Sequence, residues 1–493
     1  MPAQRISIPI IGGEAISRSV VVNNQETVNF IQSVKGRGAK APIVLETAPG
    51  YVDRGAVGDG PIRTSQMVSS GIRPASTKND LYGVYGSKLI AHTFDIGNLE
   101  IGTLNAGGER VVEARGRNFI MLVDGTDGYT FDGTTFAQIT DLDFPGQAGP
   151  GKPTHCLYLD GFFIVNDALT DNFFISALED PTVWNALDFG AAAVAPDAAL
   201  ALAATESILW VLGDETAQAY YNSGNPDFPY DIILNATQEV GILAPYSLAE
   251  SDDGIFYLAT TPEGGRFVYQ ISGQAGRVIT NDEQENFLNT LVDPQDAYAF
   301  IYKQAGKSFY VLQVSESTQP PARTSSTLIY NIKAGGWETR EINDGTAWRA
   351  GGHGVLDNDN IVGSRLQGRF GELDLNNYQD AGAAMIRRRR TQVFHVNYKS
   401  IDFWSLELDL EPSPDGTVVL GEAAELKMRY SDDSGRSWSD WLREDLGDIG
   451  ETQHRVVFDQ LGSGRNRVFE FELADAANLT IVAGYAEIEL DRD

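Results

Sequence analysis

Thr327-Leu328-Ile329-Tyr330-Asn331-Ile332-Lys333-Ala334-Gly335-Gly336-Trp337-Glu338-Thr339 reads as a strand, a glycine turn and a returning strand. Aliphatic and aromatic residues on either side favour the pleated backbone, and the paired glycines supply the reversal. The same unit, an apolar strand, a Gly, Asp or Asn turn and a second strand, returns at residues 81–94, 118–139, 156–175, 208–221, 254–271, 308–337 and 361–373. It recurs at roughly the 40–50-residue period of propeller blades. We therefore expect an all-β chain with a β-propeller of about six blades over residues 79–380, whose radial repetition exposes few strand edges. A β-sandwich with insertions is the competing arrangement for this stretch.

Residues 327–339 also look like a kelch-type strand, turn and tryptophan. Downstream, a polar, glycine-containing break at 376–384 leads into Ile386 and the run Arg387-Arg388-Arg389-Arg390. Strand-like alternation then resumes at 400–410, 423–430, 451–458, 467–473 and 480–490, which predicts a C-terminal antiparallel β-sandwich over 381–493. Upstream, residues 1–78 read as an N-terminal arm and lead-in strands. Residues 1–40 carry Arg5, Arg18, Lys35, Arg37 and Lys40 against Glu14 and Glu26, net +3, whereas the remainder is net −34. This contrast predicts a separate arm that reaches an acidic neighbouring subunit.

With 493 residues and 42% hydrophobic content the chain can bury real cores without disulfides or metals. The one cysteine, Cys156, opens an apolar run and reads as a buried thiol. His92, His155, His353, His395 and His454 lack the spacing that brings two imidazoles to one metal. No cofactor is expected. The apolar stretch Ile6 to Ile11 is short and broken by Pro9, and Pro196 and Asp197 interrupt the Ala-rich run at 190–204. No membrane insertion is expected, and the chain reads as one made in a reducing cytoplasm. The net charge of −31 argues against ordinary groove-reading DNA recognition, which needs lysine and arginine to release phosphate counterions. The same acidity suits a passive conduit, because anionic walls do not hold a moving polyanion, and it also simply keeps a protein soluble.

Ser431-Asp432-Asp433-Ser434-Gly435-Arg436-Ser437-Trp438 fits the S-x-D-x-G-x-S-W pattern of an Asp-box. In such a turn Ser431, Asp433 and Ser437 bond the backbone, Gly435 supplies the positive φ and Trp438 packs beneath. Sialidases carry several such boxes, so a glycosidase is an alternative function, although only one box occurs and it lies outside the propeller region. A propeller that binds carbohydrate or protein on its own is a third reading. Gly306-Lys307-Ser308 lacks the upstream glycine of a phosphate loop, because position 301 is Ile301. Gly36-Arg37-Gly38 is followed by Pro42 and no amphipathic helix, and Asp357-Asn358-Asp359-Asn360 lacks the glycine and glutamate of a calcium loop. No catalytic residue is singled out. Within Arg387–Arg390 alternate side chains face opposite ways, and these four, with Arg5 and Arg18, are the candidates for a salt-bridging subunit interface.

The order of motifs resembles the packaged-DNA stabilisation proteins, or tail hubs, of short-tailed bacteriophages. The resemblance is carried by Glu26-Thr27-Val28-Asn29-Phe30, Thr47-Ala48-Pro49-Gly50-Tyr51 and Gly58-Asp59-Gly60-Pro61-Ile62-Arg63. It continues through Val123-Asp124-Gly125, Tyr158-Leu159-Asp160-Gly161-Phe162-Phe163, Ser176-Ala177-Leu178-Glu179-Asp180, Tyr220-Tyr221-Asn222 and Arg465-Asn466-Arg467-Val468-Phe469-Glu470. It implies a virion tail protein without catalytic residues, assembled in the host cytoplasm. Six copies would form a homohexameric ring below the portal and its adaptor, meet a tail spike, fibre or needle, and let double-stranded DNA pass through the lumen.

Overall fold

The computed structural model describes residues 4–490 apart from residues 18, 75, 77, 95–96, 193–196, 262, 316–325, 344, 398, 413–423 and 448–453. Among the described residues the strands form seven antiparallel blades and a two-layered sandwich. Blade 1 runs from the axis outward as Val68–Ser70, Asp80–Tyr85, Lys88–Thr93 and Gly97–Thr103. Blades 2, 3 and 4 repeat this order from the inner strands Val112–Arg115, Cys156–Leu159 and Ala201–Thr205. Ala249–Ser251, Tyr298–Gln304 and Ala350–Leu356 are the inner strands of blades 5, 6 and 7. Each inner strand touches the next, and Ala350–Leu356 returns to Val68–Ser70, so the ring is closed.

Tight hairpins set the register inside the blades. In blade 3 Leu159 pairs with Phe162, leaving Asp160 (φ 53°) and Gly161 (φ 90°) as a two-residue turn whose twist matches its strands. Alternate residues then face adjacent blades: Phe163 and Val165 pack toward blade 2, Ile164 and Phe173 toward blade 4. The stretch at 327–339 supplies the two outer strands of blade 6, Ser326–Asn331 and Gly336–Arg340, with Ala334 N donating to Asn331 Oδ1 at 3.1 Å and Tyr330 packed on Trp337.

The blade count is seven where about six were expected, although each repeated span lies in its own blade. Blade 7 takes its outermost strand, Gly50–Ala56, from the opposite end of the chain, where it pairs with Arg369–Asp374. Tyr51 then sits buried among Tyr302, Trp348 and Leu373, beneath the Arg349 guanidinium. A sequence reading in chain order assigns this strand to a lead-in segment, because its partner lies more than three hundred residues away.

The N-terminus likewise differs from the expected separate arm. One sandwich layer is made by Gln4–Ile8, Phe30–Val34, Ile43–Thr47, Ile401–Pro412, Val456–Gly464 and Leu479–Leu490. The other joins Asn24–Val28 to Arg387–Arg390, Val468–Leu473, Glu425–Ser431 and Leu442–Asp445, and continues into blade 6 through Val28 beside Thr339. Ile8, Ile10, Phe30 and Leu45 are buried in the same core as Leu406, Phe458 and Phe471. The sandwich is thus discontinuous in sequence, and its N-terminal strands are held by burial of their apolar faces. Among the described residues no helix is long and apolar enough to cross a membrane.

Candidate functional site

The basic run is strand Arg387–Arg390, bounded on both sides: Arg389 pairs with Thr27 and with Phe471, and Arg390 with Glu26 and Glu470. The pleat sends Arg387 and Arg389 inward, and both are 0% exposed. Arg389 donates from Nε to Ile10 O at 2.6 Å, from Nη1 to Thr27 Oγ1 at 2.7 Å and Gly13 O at 3.1 Å, and from Nη2 to Gln25 Oε1 at 2.7 Å. Arg387 reaches the carbonyls of Leu473, Asp475 and Ala477. Burial lowers both guanidinium pKa values, to about 10 for Arg387 and about 9 for Arg389, outweighing the opposing pull of Asp475 on the first and Glu14 on the second.

Arg388 and Arg390 turn to the opposite face. Arg390 Nη2 lies 2.8 Å from Glu26 Oε2 and 2.6 Å from Glu470 Oε2, while Arg388 stands 3.7 Å from Glu26 and from Glu472. Arg429 adds a second cation to Glu470 and lies over Trp438 and Trp441. The run is therefore a seam within one chain, joining the N-terminal strand to the sandwich. Arg387 and Arg389 are withdrawn as subunit-interface candidates, because no neighbouring subunit can reach a guanidinium buried among its own carbonyls. Arg388 and Arg390 keep partly exposed side chains already paired to carboxylates. Arg5 is 57% exposed and reaches Glu407 at 2.9 Å, and Arg18 lies outside the described residues. The sequence presents Glu26 and Glu470 only as part of a charge balance and of family motifs, not as partners of the arginines, and Glu472 was not singled out; their alternation with Val28, Phe469 and Phe471 was the available signal.

The Asp-box folds as a turn staple between Glu425–Ser431 and Leu442–Asp445. Asp433 Oδ1 accepts from Ser431 Oγ at 2.7 Å, Arg436 N at 2.9 Å and Ser437 N at 2.8 Å, and Oδ2 from Ser437 Oγ at 2.6 Å. These donors hold the Asp433 carboxyl well below the usual carboxylate range. Gly435 sits at φ 91°, and Asn24 Nδ2 donates to Ser434 O at 3.0 Å, tying the turn to the N-terminal strand. The side chains of Ser431, Asp433 and Ser437 are committed to holding the loop, while Asp432 pairs with Arg467 outside it.

The other phosphate- and metal-loop look-alikes are hairpin turns. Ala305 and Gly306, both at positive φ, connect Gln304 to Lys307, whose Nζ lies 2.7 Å from Glu46. Asp357 and Asn358 do the same between Leu356 and Asp359. Cys156 is buried, with its thiol pKa pushed far up by desolvation, as expected of an inert core thiol.

The propeller interior holds a carboxyl that sequence reading did not single out. Glu113, on the inner strand of blade 2, accepts from Thr64 Oγ1 at 2.8 Å and Val68 N at 3.3 Å, and desolvation raises its pKa to about 8. Because the folded value lies above the unfolded one, its stabilisation is complete at low pH and is lost as pH rises from about 4.5 to about 8, roughly 5 kcal/mol in all. His92, His155 and His353, held by burial near 4, act oppositely below their unfolded value of 6.5. Glu113→Gln removes the high-pH loss. Denaturation midpoints compared at about pH 6 and about pH 8.5 should show wild type losing about 3 kcal/mol more than the variant; parallel losses would place the charge elsewhere.

A family model described as bacteriophage P22 Gp10, beta-propeller, matches residues 6–378. A second, described as bacteriophage P22 Gp10, beta-sandwich, matches residues 386–489. Among solved structures the chain is similar to the crystal structure of the WD40 beta propeller domain of Doa1, at 12% identity and a TM-score of 0.37, over 66% of this chain and 97% of that one. No curated protein sequence matches.

Proposed function

The chain belongs to the bacteriophage P22 Gp10 family, and from that premise we propose that it forms a ring at the DNA exit of a short-tailed phage, retaining packaged DNA and guiding it out. It is a bacteriophage structural protein with a propeller and a sandwich. The observation that carries the proposal is the match of both family models, in order, to residues 6–378 and 386–489. The net charge of −31 supports it, since an acidic lumen gives outgoing DNA no cationic holding points.

A closed ring of identical subunits needs a heterologous interface, one face of each protomer meeting a different face of the next. With Arg387 and Arg389 internal, that interface falls to the exposed outer faces of the blades and sandwich, Arg5 among them. The portal and adaptor lie above in this arrangement and a spike, fibre or needle below. The test is a phage lacking this chain: its heads should package DNA and then lose it, read as nuclease-sensitive DNA after lysis. Heads that stay full and protected without the protein would overturn the retention role.

A further inference from the structure

Trp404 is 55% exposed, whereas Trp184, Trp210, Trp337 and Trp348 are buried. It lies in the middle of a sheet, on Ile401–Pro412, between Val456–Gly464 and Leu479–Leu490. Both ladders skip it. Phe403 pairs with Gly462 and Ile488, and the register resumes at Ser405 with Asp459 and Glu487. Alternation from Ile401 and Phe403 turns Trp404 outward, and the bulge then shifts the phase so that Leu406 returns to the core; bulges of this kind are found beside functional sites.

Around the indole lies an open cavity of about 610 Å³, lined by Asp402, Asp459, Glu487, Gln460 and Ser463 among others. The flanking cations do not enter it: Arg5 and Arg455 both go to Glu407, at 2.9 and 2.7 Å, and Arg5 lies over Tyr485. Among the described residues no lysine or arginine forms an ion pair with Asp459 or Glu487, and Asp402 accepts from Ser463 Oγ. The pocket therefore offers an aromatic face and three carboxylates without a guanidinium or ammonium. A sugar would find few donors, the Gln460 amide and the Trp404 indole N–H among them, against three carboxylates, and would leave their charge unanswered. A cation is attracted by the ring quadrupole and by every carboxylate at once, and arginine's planar fork suits both.

We propose that this pocket receives an arginine or lysine side chain carried on a loop of a partner protein. Its recognition chemistry is independent of the ring, so either can fail alone. The test uses the full chain labelled with fluorotryptophan, the Trp404 signal being assigned by its loss in Trp404→Phe. The probes are acetyl-Gly-Arg-Gly-amide, its neutral citrulline counterpart and a neutral oligosaccharide. The arginine peptide should give a saturable shift of the Trp404 signal, with at least tenfold weaker binding for citrulline. Asp459→Asn with Glu487→Gln, both surface changes, should weaken arginine binding by a similar factor, as should molar salt. No saturable shift, an equal response to citrulline, or a preference for the oligosaccharide would overturn the proposal.

Discussion

Arg389→Ala will destabilise the protein by about 3–5 kcal/mol and loosen its N-terminal segment from the sandwich. The guanidinium is fully buried and satisfies Ile10 O, Gly13 O, Thr27 and Gln25 simultaneously. Truncation strands the buried Ile10 O and Thr27 Oγ1 away from water, and a buried group left without its partner costs its full desolvation. Lysine does not rescue it, because one ammonium cannot reproduce a fork that bonds from Nε, Nη1 and Nη2 in different directions. Thermal melts and limited proteolysis near residues 10–25 report both consequences. A variant with an unchanged melt and an uncut N-terminus would show that the seam does not anchor this segment.

The second large effect is a truncation. A chain beginning at residue 57 should not fold as a propeller with an attached sandwich, because it lacks the outer strand of blade 7 and the N-terminal strands of both sandwich layers. Ile8, Ile10, Phe30 and Leu45 are each at most 2% exposed, and burying such side chains stabilises by about 2 kcal/mol apiece. Their combined loss rivals the whole stability of an ordinary domain. Blade 7 would also expose the unpaired edge of Arg369–Asp374, inviting aggregation. Soluble yield and circular dichroism are the readouts. A well-folded, soluble product would contradict the closure described above and restore the N-terminus as an independent arm.

What could be read from sequence was local. Hairpins such as Leu159-Asp160-Gly161-Phe162 and the Asp-box announce themselves, because turn chemistry and alternation lie within a few neighbouring residues. The blades followed from their repetition. What stayed hidden was pairing across the chain: Gly50–Ala56 on blade 7, and Asn24–Val28 beside Arg387–Arg390. A run of four arginines reads as surface by composition. Only the strand on each side, which places Arg387 and Arg389 against carbonyls, shows that half of the run is interior. Glu113 and Trp404 were illegible for the same reason, since burial and a bulge are properties of the assembled sheet.

The ring is tested most directly by the mass of the purified protein in light scattering, alone and after mixing with the portal and adaptor complex of the same phage. The expected result is six times the 53.6 kDa chain, either free or added to the portal complex. A chain that stays at its monomer mass and ignores the portal would contradict the ring.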